Sequence, residues 1–298
     1  MANMLPYIRL MRPHHYMKNL FLFLPLFFSG RMLELALVRQ AALGFLAFCS
    51  ASSAVYIYND VADIDSDRLH SVKRGRPLAS GAAKVKYALM LAGLLLCLSI
   101  AFQIIAAGRA NAPSWLYLAA YVLANAAYSR GLKHVAVLDV AILAAGFLLR
   151  LAYGAALADI PVSGWLFLTV LAMSFYMGLG KRRGELVKQK ETRKVLKSYS
   201  QGFLEKGMNM CLTLTIAFYA LWAGESGKPS SGGDVLSGGL LWTVPLVMLI
   251  CLKYSLDLEG DSDGDPVEVV LRDKVLCALA LLLAVVIFIL IYHLPLAT

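Results

Sequence analysis

Charge is scarce in this sequence of 298 residues: Asp, Glu, Lys and Arg together make up 16%, against about 25% in a typical soluble domain. Hydrophobic residues reach 59%, and the mean hydropathy is +0.68. About 20 apolar residues are needed to cross about 30 Å of hydrocarbon, and runs of that kind recur along the chain. A water-soluble enzyme, a disordered tail and a single-anchor protein are therefore excluded. Cysteine is also sparse. Cys49, Cys97, Cys211, Cys251 and Cys277 are odd in number, lie inside apolar runs and form no C-x-x-C pair. That argues against structural disulfides and thiolate metal sites and for small core-filling residues. A cleavage site is missing too: basic residues and the apolar Leu20–Gly30 resemble a secretory signal, but Arg31-Met32-Leu33-Glu34 follows. The segment reads as a retained first helix.

What is present is a series of nine apolar segments, near 17–33, 37–63, 84–107, 113–129, 135–158, 162–180, 203–223, 238–256 and 274–293. The first contains Pro25 and carries Lys18 near its start, where the long side chain can snorkel. The expected fold is all-α, a polytopic bundle of nine transmembrane helices. No soluble domain interrupts it, and the longest polar stretch, about 181–202, is expected to be a loop. With the N-terminus in the cytoplasm, every Lys and Arg lies on or near the inner face except Arg31, Arg39, Arg109, Lys228 and Arg150. The positive-inside rule then sets the N-terminus inside and the C-terminus outside. The net charge of +9 belongs to this face, so the bilayer is the expected partner and nucleic acid is not.

Most carboxylates gather at the same face. In Tyr58-Asn59-Asp60-Val61-Ala62-Asp63-Ile64-Asp65-Ser66-Asp67, the spacing of Asp60, Asp63 and Asp67 puts them on one face of a helix, and Asn59 joins through its i+4 relation to Asp63. Carboxylates so close repel unless a cation intervenes. Mg²⁺ suits them, because it is commonly held by one or two carboxylates plus substrate phosphates. A solvated acidic helix end is the plainer alternative, but carboxylates abutting a long apolar span are expensive and usually functional. The next stretch, Arg68 to Gly81, carries Lys73, Arg74 and Arg76, whose heads can grip phosphate oxygens. Taken alone it would also fit a simple topogenic loop.

With these residues the chain resembles the UbiA superfamily of intramembrane transferases. Asn59, Asp60, Asp63 and Asp67 match its first aspartate motif, N-D-x-x-D-x-x-x-D, and Arg76 to Gly81 match R-P-L-A-S-G. The resemblance implies one UbiA-like transmembrane transferase domain over residues 1–298. It also implies Mg²⁺ held by Asn59, Asp60, Asp63 and Asp67 against a substrate pyrophosphate near the cytoplasmic face of the inner (plasma) membrane. Most members attach a prenyl diphosphate to an aromatic ring and carry a second aspartate-rich motif. Here that position reads Gly180-Lys181-Arg182-Arg183-Gly184-Glu185, which resembles the decaprenyl-phosphate phosphoribosyltransferase branch instead. Arg12-Pro13-His14-His15-Tyr16-Met17-Lys18-Asn19 and Tyr128-Ser129-Arg130-Gly131-Leu132-Lys133 look like that branch too, with Tyr16 standing where the family usually has Trp.

The branch implies a phosphoribosyl pyrophosphate donor and a polyprenyl phosphate acceptor. Asp60, Asp63 and Asp67 would be catalytic. Arg12, Lys18, Asn19, Asn59, Lys73, Arg74, Arg76, Tyr128, Lys133, Lys181, Arg182, Glu185 and Tyr254 would bind substrate. A donor with a 5-phosphate besides its pyrophosphate demands more cations than a prenyl diphosphate, in keeping with Lys18, Arg74, Arg76, Lys133, Lys181 and Arg182. Two rivals stay open: an aromatic prenyltransferase of quinone or haem biosynthesis, and a transporter. The transporter should place ionisable groups near the midplane, whereas these collect at one face. Asp257 to Pro266 reads as a solvated acidic loop, the alternative being closure over the site or supply of a second metal ligand, with Tyr254 and Asp257 the best candidates for that role. Asp139 and Arg150, about 16 Å of helix rise apart, cannot pair. Asp139 would orient a site lysine or pair structurally, and Arg150 would serve packing or a lipid headgroup. The five histidines show no metal-ligand spacing, and Lys188 to Lys197 reads as a solvated helix touching anionic lipid.

Overall fold

The computed structural model describes residues 4–69, 73–187, 194–226, 239–260 and 265–292. Every regular element among them is helical. Among the described residues, seven helices are long and apolar enough to cross a membrane. The chain divides into two compact units, Met1–Ile142 with Leu149–Pro161 and Leu143–Leu148 with Val162–Thr298.

The first unit opens with α1 (Leu5–Met11). A 3-10 helix over Pro13–Phe23 and the short α2 (Leu24–Phe28) follow, where the sequence suggests one continuous membrane helix. Pro25 stands in the first turn of α2, where its missing N–H leaves nothing unpaired. The long α3 (Leu35–Ala62) is the centre of the unit and packs against the 3-10 segment, α5 (Val85–Ala107) and α6 (Ala112–Arg130). Between α3 and α5 lie α4 (Ile64–Leu69) and a turn at Lys73–Gly75. A second turn, Leu132–His134, leads to α7 (Leu138–Ala158). Leu22, Leu26, Phe48, Val55, Tyr121, Tyr153 and Leu157 form one buried core; Leu10, Ile57, Leu78, Ala88 and Leu95 form another.

Close backbone approach depends on small residues, as is usual between membrane helices. A Cβ on Gly154 would lie 1.9 Å from the Leu22 carbonyl oxygen, and one on Gly44 would lie 2.2 Å from Leu157 Cδ1. The Asn111 side chain caps α6 by accepting from the Ser114 N–H and so satisfies one orphan donor. α6 matches the expected segment 113–129 in place but is not among the seven apolar spans; Ser114, Asn125 and Ser129 interrupt it.

In the second unit, α8 (Gly164–Val187) packs along α9 (Gln201–Ser226). A 3-10 turn at Leu240–Thr243 leads into α10 (Val244–Glu259), which meets α9 and α12 (Lys274–Tyr292). Tyr219 and Thr243 share a 2.6 Å hydrogen bond, as do Tyr176 and Ser255. The apolar side chains of α12 are largely uncovered, including Leu281, Leu282, Val285 and Ile289. That is the surface a lipid-facing helix presents, since lipid tails are as apolar as leucine.

Three further expectations change. Residues 181–187 are not loop but the last two turns of α8, and Lys194–Ser198 is a 3-10 turn. The acidic stretch after α10 resumes as α11 (Pro266–Arg272), capped by Asp265, whose carboxylate accepts from the Val267 N–H at 3.0 Å. The aspartate motif does not share one continuous helix, because α3 ends at Asp63 and a new helix carries Asp67. Residues 70–72 of the basic loop, 188–193 of the basic tail, 261–264 of the acidic loop, Lys228 and His293 lie outside the described residues.

Candidate functional site

The carboxylates at the end of α3 are countered by cations brought from distant parts of the first unit. Asp60, 3% exposed, receives a 2.5 Å contact from Arg12 Nη2 and a 3.2 Å contact from Arg76 Nη1. The same Arg76 nitrogen lies 2.7 Å from Asp67 Oδ2, and Asp67 is 4% exposed. Asp63, the C-cap of α3 with φ −102° and ψ 6°, pairs with Lys133. Ser129 donates to the Asn59 side-chain oxygen. Removing buried carboxylates from water is expensive, and multiple well-placed cationic partners offset that cost.

Local structure explains how these partners arrive. Arg12 adopts φ +53° between α1 and the 3-10 segment, and its guanidinium carbon lies 5.3 Å from the Tyr56 ring centroid. Arg76 follows the Lys73–Gly75 turn, whose loop doubles back: the Ala83 N–H bonds the Pro77 carbonyl at 2.9 Å. Lys133 occupies the turn between α6 and α7, and Val137 at the start of α7 adopts φ +69°. A left-handed β-branched residue is a strained feature of a kind that clusters at functional sites.

The first unit thus brings together Arg12, Asn59, Asp60, Asp63, Asp67, Arg76 and Lys133. Arg74 is exposed on the same turn as Lys73, while Lys18 is half-buried on the 3-10 segment and Tyr128 stands in the last turn of α6. Asn19 is turned inward at 1% exposure; its Nδ2 donates to Cys49 Sγ at 3.2 Å and Ser52 Oγ at 3.3 Å. Arg150, 5% exposed, donates from Nε to Asn19 Oδ1 at 2.7 Å and from Nη2 to Tyr121 Oη at 3.1 Å.

The second unit holds the other predicted residues. Arg182 is fully buried and donates to Glu185 at 2.7 Å, one helical turn on. Lys181 lies 3.7 Å from Asp265. Tyr254 is buried beside Tyr176, their ring centroids 5.9 Å apart, and its hydroxyl has no hydrogen-bond partner among the described residues. Lys253 pairs with both Asp257 and Asp273. The bond from Lys253, helped by the Leu276 N–H, holds the Asp273 carboxyl below the usual aspartate range.

Among the described residues, no three acidic, His or Cys side chains are arranged to hold a metal ion by themselves. Asp60 and Asp67 nevertheless fit a hard cation, because both reach one nitrogen of Arg76. A site with two protein carboxylates leaves coordination positions for phosphate oxygens, the usual manner of Mg²⁺ binding. Sequence reasoning placed Ser129 in the branch-like segment and Asp265 in the acidic loop without assigning either its partner. It missed the Cys49–Ser53 stretch, for which the run Ser50-Ala51-Ser52-Ser53 inside an apolar helix was a visible signal.

A model of the UbiA prenyltransferase family matches residues 21–256. The chain belongs to this family. A decaprenyl-phosphate phosphoribosyltransferase of Mycolicibacterium smegmatis is 34% identical over 281 residues, covering 90% of this chain and 87% of that protein. One from Corynebacterium glutamicum is 32% identical, covering 97% and 87%. A solved UbiA homolog from Archaeoglobus fulgidus bound to DMAPP and Mg²⁺ shares the fold, with a TM-score of 0.69 at 19% identity over 97% of this chain and 99% of that one. This UbiA-family chain is accordingly an integral membrane protein and a transferase by kinship.

Proposed function

We propose that the protein transfers the 5-phosphoribosyl group of 5-phosphoribosyl-1-pyrophosphate to a polyprenyl phosphate of decaprenyl type, releasing pyrophosphate. The observation that carries this reading is the near full-length similarity to proteins named decaprenyl-phosphate phosphoribosyltransferase. The cation-rich end of α8, in place of a second aspartate motif, supports it. The whole chain acts as a single transferase domain with nine membrane-crossing segments, the first being Pro13–Phe28 and the fourth α6. Its N-terminus is cytoplasmic, and the site opens on the cytoplasmic face of the inner membrane.

In the reaction, an anionic oxygen of the acceptor phosphate attacks C1 of the ribose while the bond from C1 to the pyrophosphate oxygen breaks. The electron pair leaves with pyrophosphate, C1 acquires oxocarbenium character, and no general base is needed. Asn59, Asp60, Asp63 and Asp67 would hold Mg²⁺, which when bound supplies charge neutralisation of the leaving pyrophosphate. Arg12, Arg76 and Lys133, which neutralise those carboxylates in the free protein, turn to phosphate oxygens once the donor is present. Lys18, Lys73 and Arg74 add positive charge, and Tyr128 flanks the ribose. In the second unit, Lys181, Arg182, Glu185 and Tyr254 are the residues proposed to bind substrate. Catalysis rests on positioning and fixed charge.

The test is a turnover assay of purified protein in lipid, pairing radiolabelled phosphoribosyl pyrophosphate with a polyprenyl phosphate. Label should enter the lipid phase only when Mg²⁺ is present. Reaction of a prenyl diphosphate with a hydroxybenzoate-like acceptor instead would overturn the proposal, and solute flux without turnover would restore the transporter.

A further inference from the structure

The 3-10 helix over Pro13–Phe23 runs for 11 residues, whereas such runs rarely exceed three or four because their hydrogen bonds are poor. Its first neighbour, Arg12, is in the left-handed region at φ +53°. Tertiary contacts must therefore maintain a backbone that local preference would not. They are polar and come largely from α3. Tyr16 and Ser53 share a 2.8 Å hydrogen bond, Ser53 Oγ donates to the Met11 carbonyl at 2.9 Å, and Asn19 Nδ2 donates to Cys49 and Ser52. The remaining polar atom of the Asn19 side chain, Oδ1, accepts from Arg150 Nε at 2.7 Å.

Arg150 comes from α7 and is itself rigidly seated. Its Nη2 bonds Tyr121 Oη at 3.1 Å, and its guanidinium carbon lies 5.2 Å from the Phe48 ring centroid and 4.7 Å from that of Tyr121. A guanidinium buried inside a membrane helix is expensive, and an apolar side chain would pack there at less cost. What an apolar side chain cannot supply is a directional grip on two acceptors at once. One turn further along α7, the bare Gly154 lets the Leu22 backbone rest against the helix. α7 therefore holds the 3-10 segment at two successive points.

That segment carries Lys18 and directly follows Arg12, the residue that reaches Asp60. The geometry points to Arg150 as a positioning residue: through Asn19 it fixes the segment from which Arg12 and Lys18 serve the pyrophosphate end of the donor. This inference rests on the proposed reading of the aspartate cluster as the donor site. Arg150 touches no reacting atom, and its influence passes through a backbone that loses its register when Asn19 is released.

The experiment compares wild type, Arg150→Lys, Asn19→Ala, the double variant and the milder Tyr121→Phe, all in lipid nanodiscs. Binding of inorganic pyrophosphate with Mg²⁺ is measured by calorimetry, beside steady-state kinetics and thermal midpoints. Arg150→Lys keeps the charge but loses the rigid planar fork that holds Asn19 and Tyr121 in fixed geometry. It should weaken pyrophosphate binding about tenfold, the usual scale for losing a group that orients a ligand-binding residue. The KM for phosphoribosyl pyrophosphate should rise in parallel, with the KM for polyprenyl phosphate unchanged. In the Asn19→Ala background the same change should add no further loss, and Tyr121→Phe, which retains the ring, should show a smaller loss in the same direction. Unchanged pyrophosphate binding in Arg150→Lys, independent and multiplying losses in the double variant, or an equal rise in both KM values would overturn the inference. Wild type that binds pyrophosphate but moves no phosphoribosyl group would overturn the proposed reaction alone, since the binding comparison still decides the role of Arg150.

Discussion

The charged clusters of the two units differ in how much of each is local in sequence. At the end of α3 the anions come from one short stretch, and the cations reach them from Arg12, Arg76 and Lys133, each from a different turn of the chain. At the ends of α8 and α10 the cations lead. Local pairs, Arg182 with Glu185 at i+3 and Lys253 with Asp257 at i+4, stand beside longer-range ones of Lys181 with Asp265 and Lys253 with Asp273. A pair within one helix forms whenever the helix does. A pair assembled across distant turns exists only when the fold is complete, so the first cluster reports on tertiary structure. It also suits exchange, since a metal ion and a phosphate can take over the two halves of each ion pair.

The contrast is broken most severely at the carboxylates. Asp60→Asn and Asp63→Asn should leave folded protein but lower turnover by at least about a hundredfold, the scale for losing one preorganised charge at a reacting centre. Wild-type turnover in either variant would remove the aspartates from the chemistry. Gly154→Ala attacks the scaffold instead, because the added methyl would meet the Leu22 backbone. A loss of about 1–3 kcal/mol is expected from such overpacking, visible as a lower thermal midpoint.

Tyr254→Phe sharpens the comparison in the second unit. Its hydroxyl is buried without a partner among the described residues, so removing it should leave stability unchanged or slightly raised. If the hydroxyl serves the donor, the KM for phosphoribosyl pyrophosphate should rise several-fold, in line with about 1 kcal/mol for one hydrogen bond. Acid probes the same unit more gently. Asp273 has a lowered pKa in the folded protein, so its stabilising contribution is present above the ordinary aspartate value of about 3.9 and fades as pH falls below it. Thermal midpoints of wild type and Asp273→Asn should converge as pH drops through that window. The smallest effect is expected from Arg31→Gln: its 2.6 Å pair with Glu34 is exposed, and such pairs contribute little. Activity and melting should both match wild type.

Much of this was legible from residue order. Long apolar runs predicted helices close to the observed bounds of α3, α5, α7 and α12, because lipid demands internally bonded backbone whatever the tertiary context. The aspartate motif and the basic residues around it stood out for the same reason: charge beside an apolar span is too expensive to be incidental. The 3-10 course of Pro13–Phe23 was not legible, because its support comes from Asn19 and Arg150, far apart in sequence. The break at Asp63 was missed because i, i+3, i+4 spacing is equally compatible with a continuous helix and with two short ones.

By itself, then, the sequence determined an all-helical membrane protein with its carboxylates and cations gathered near helix ends, since solvation in lipid acts residue by residue. Only the tertiary structure decided which cation meets which carboxylate and which polar group anchors the first segment. Those choices depend on distances between elements remote in the chain, which no local pattern encodes.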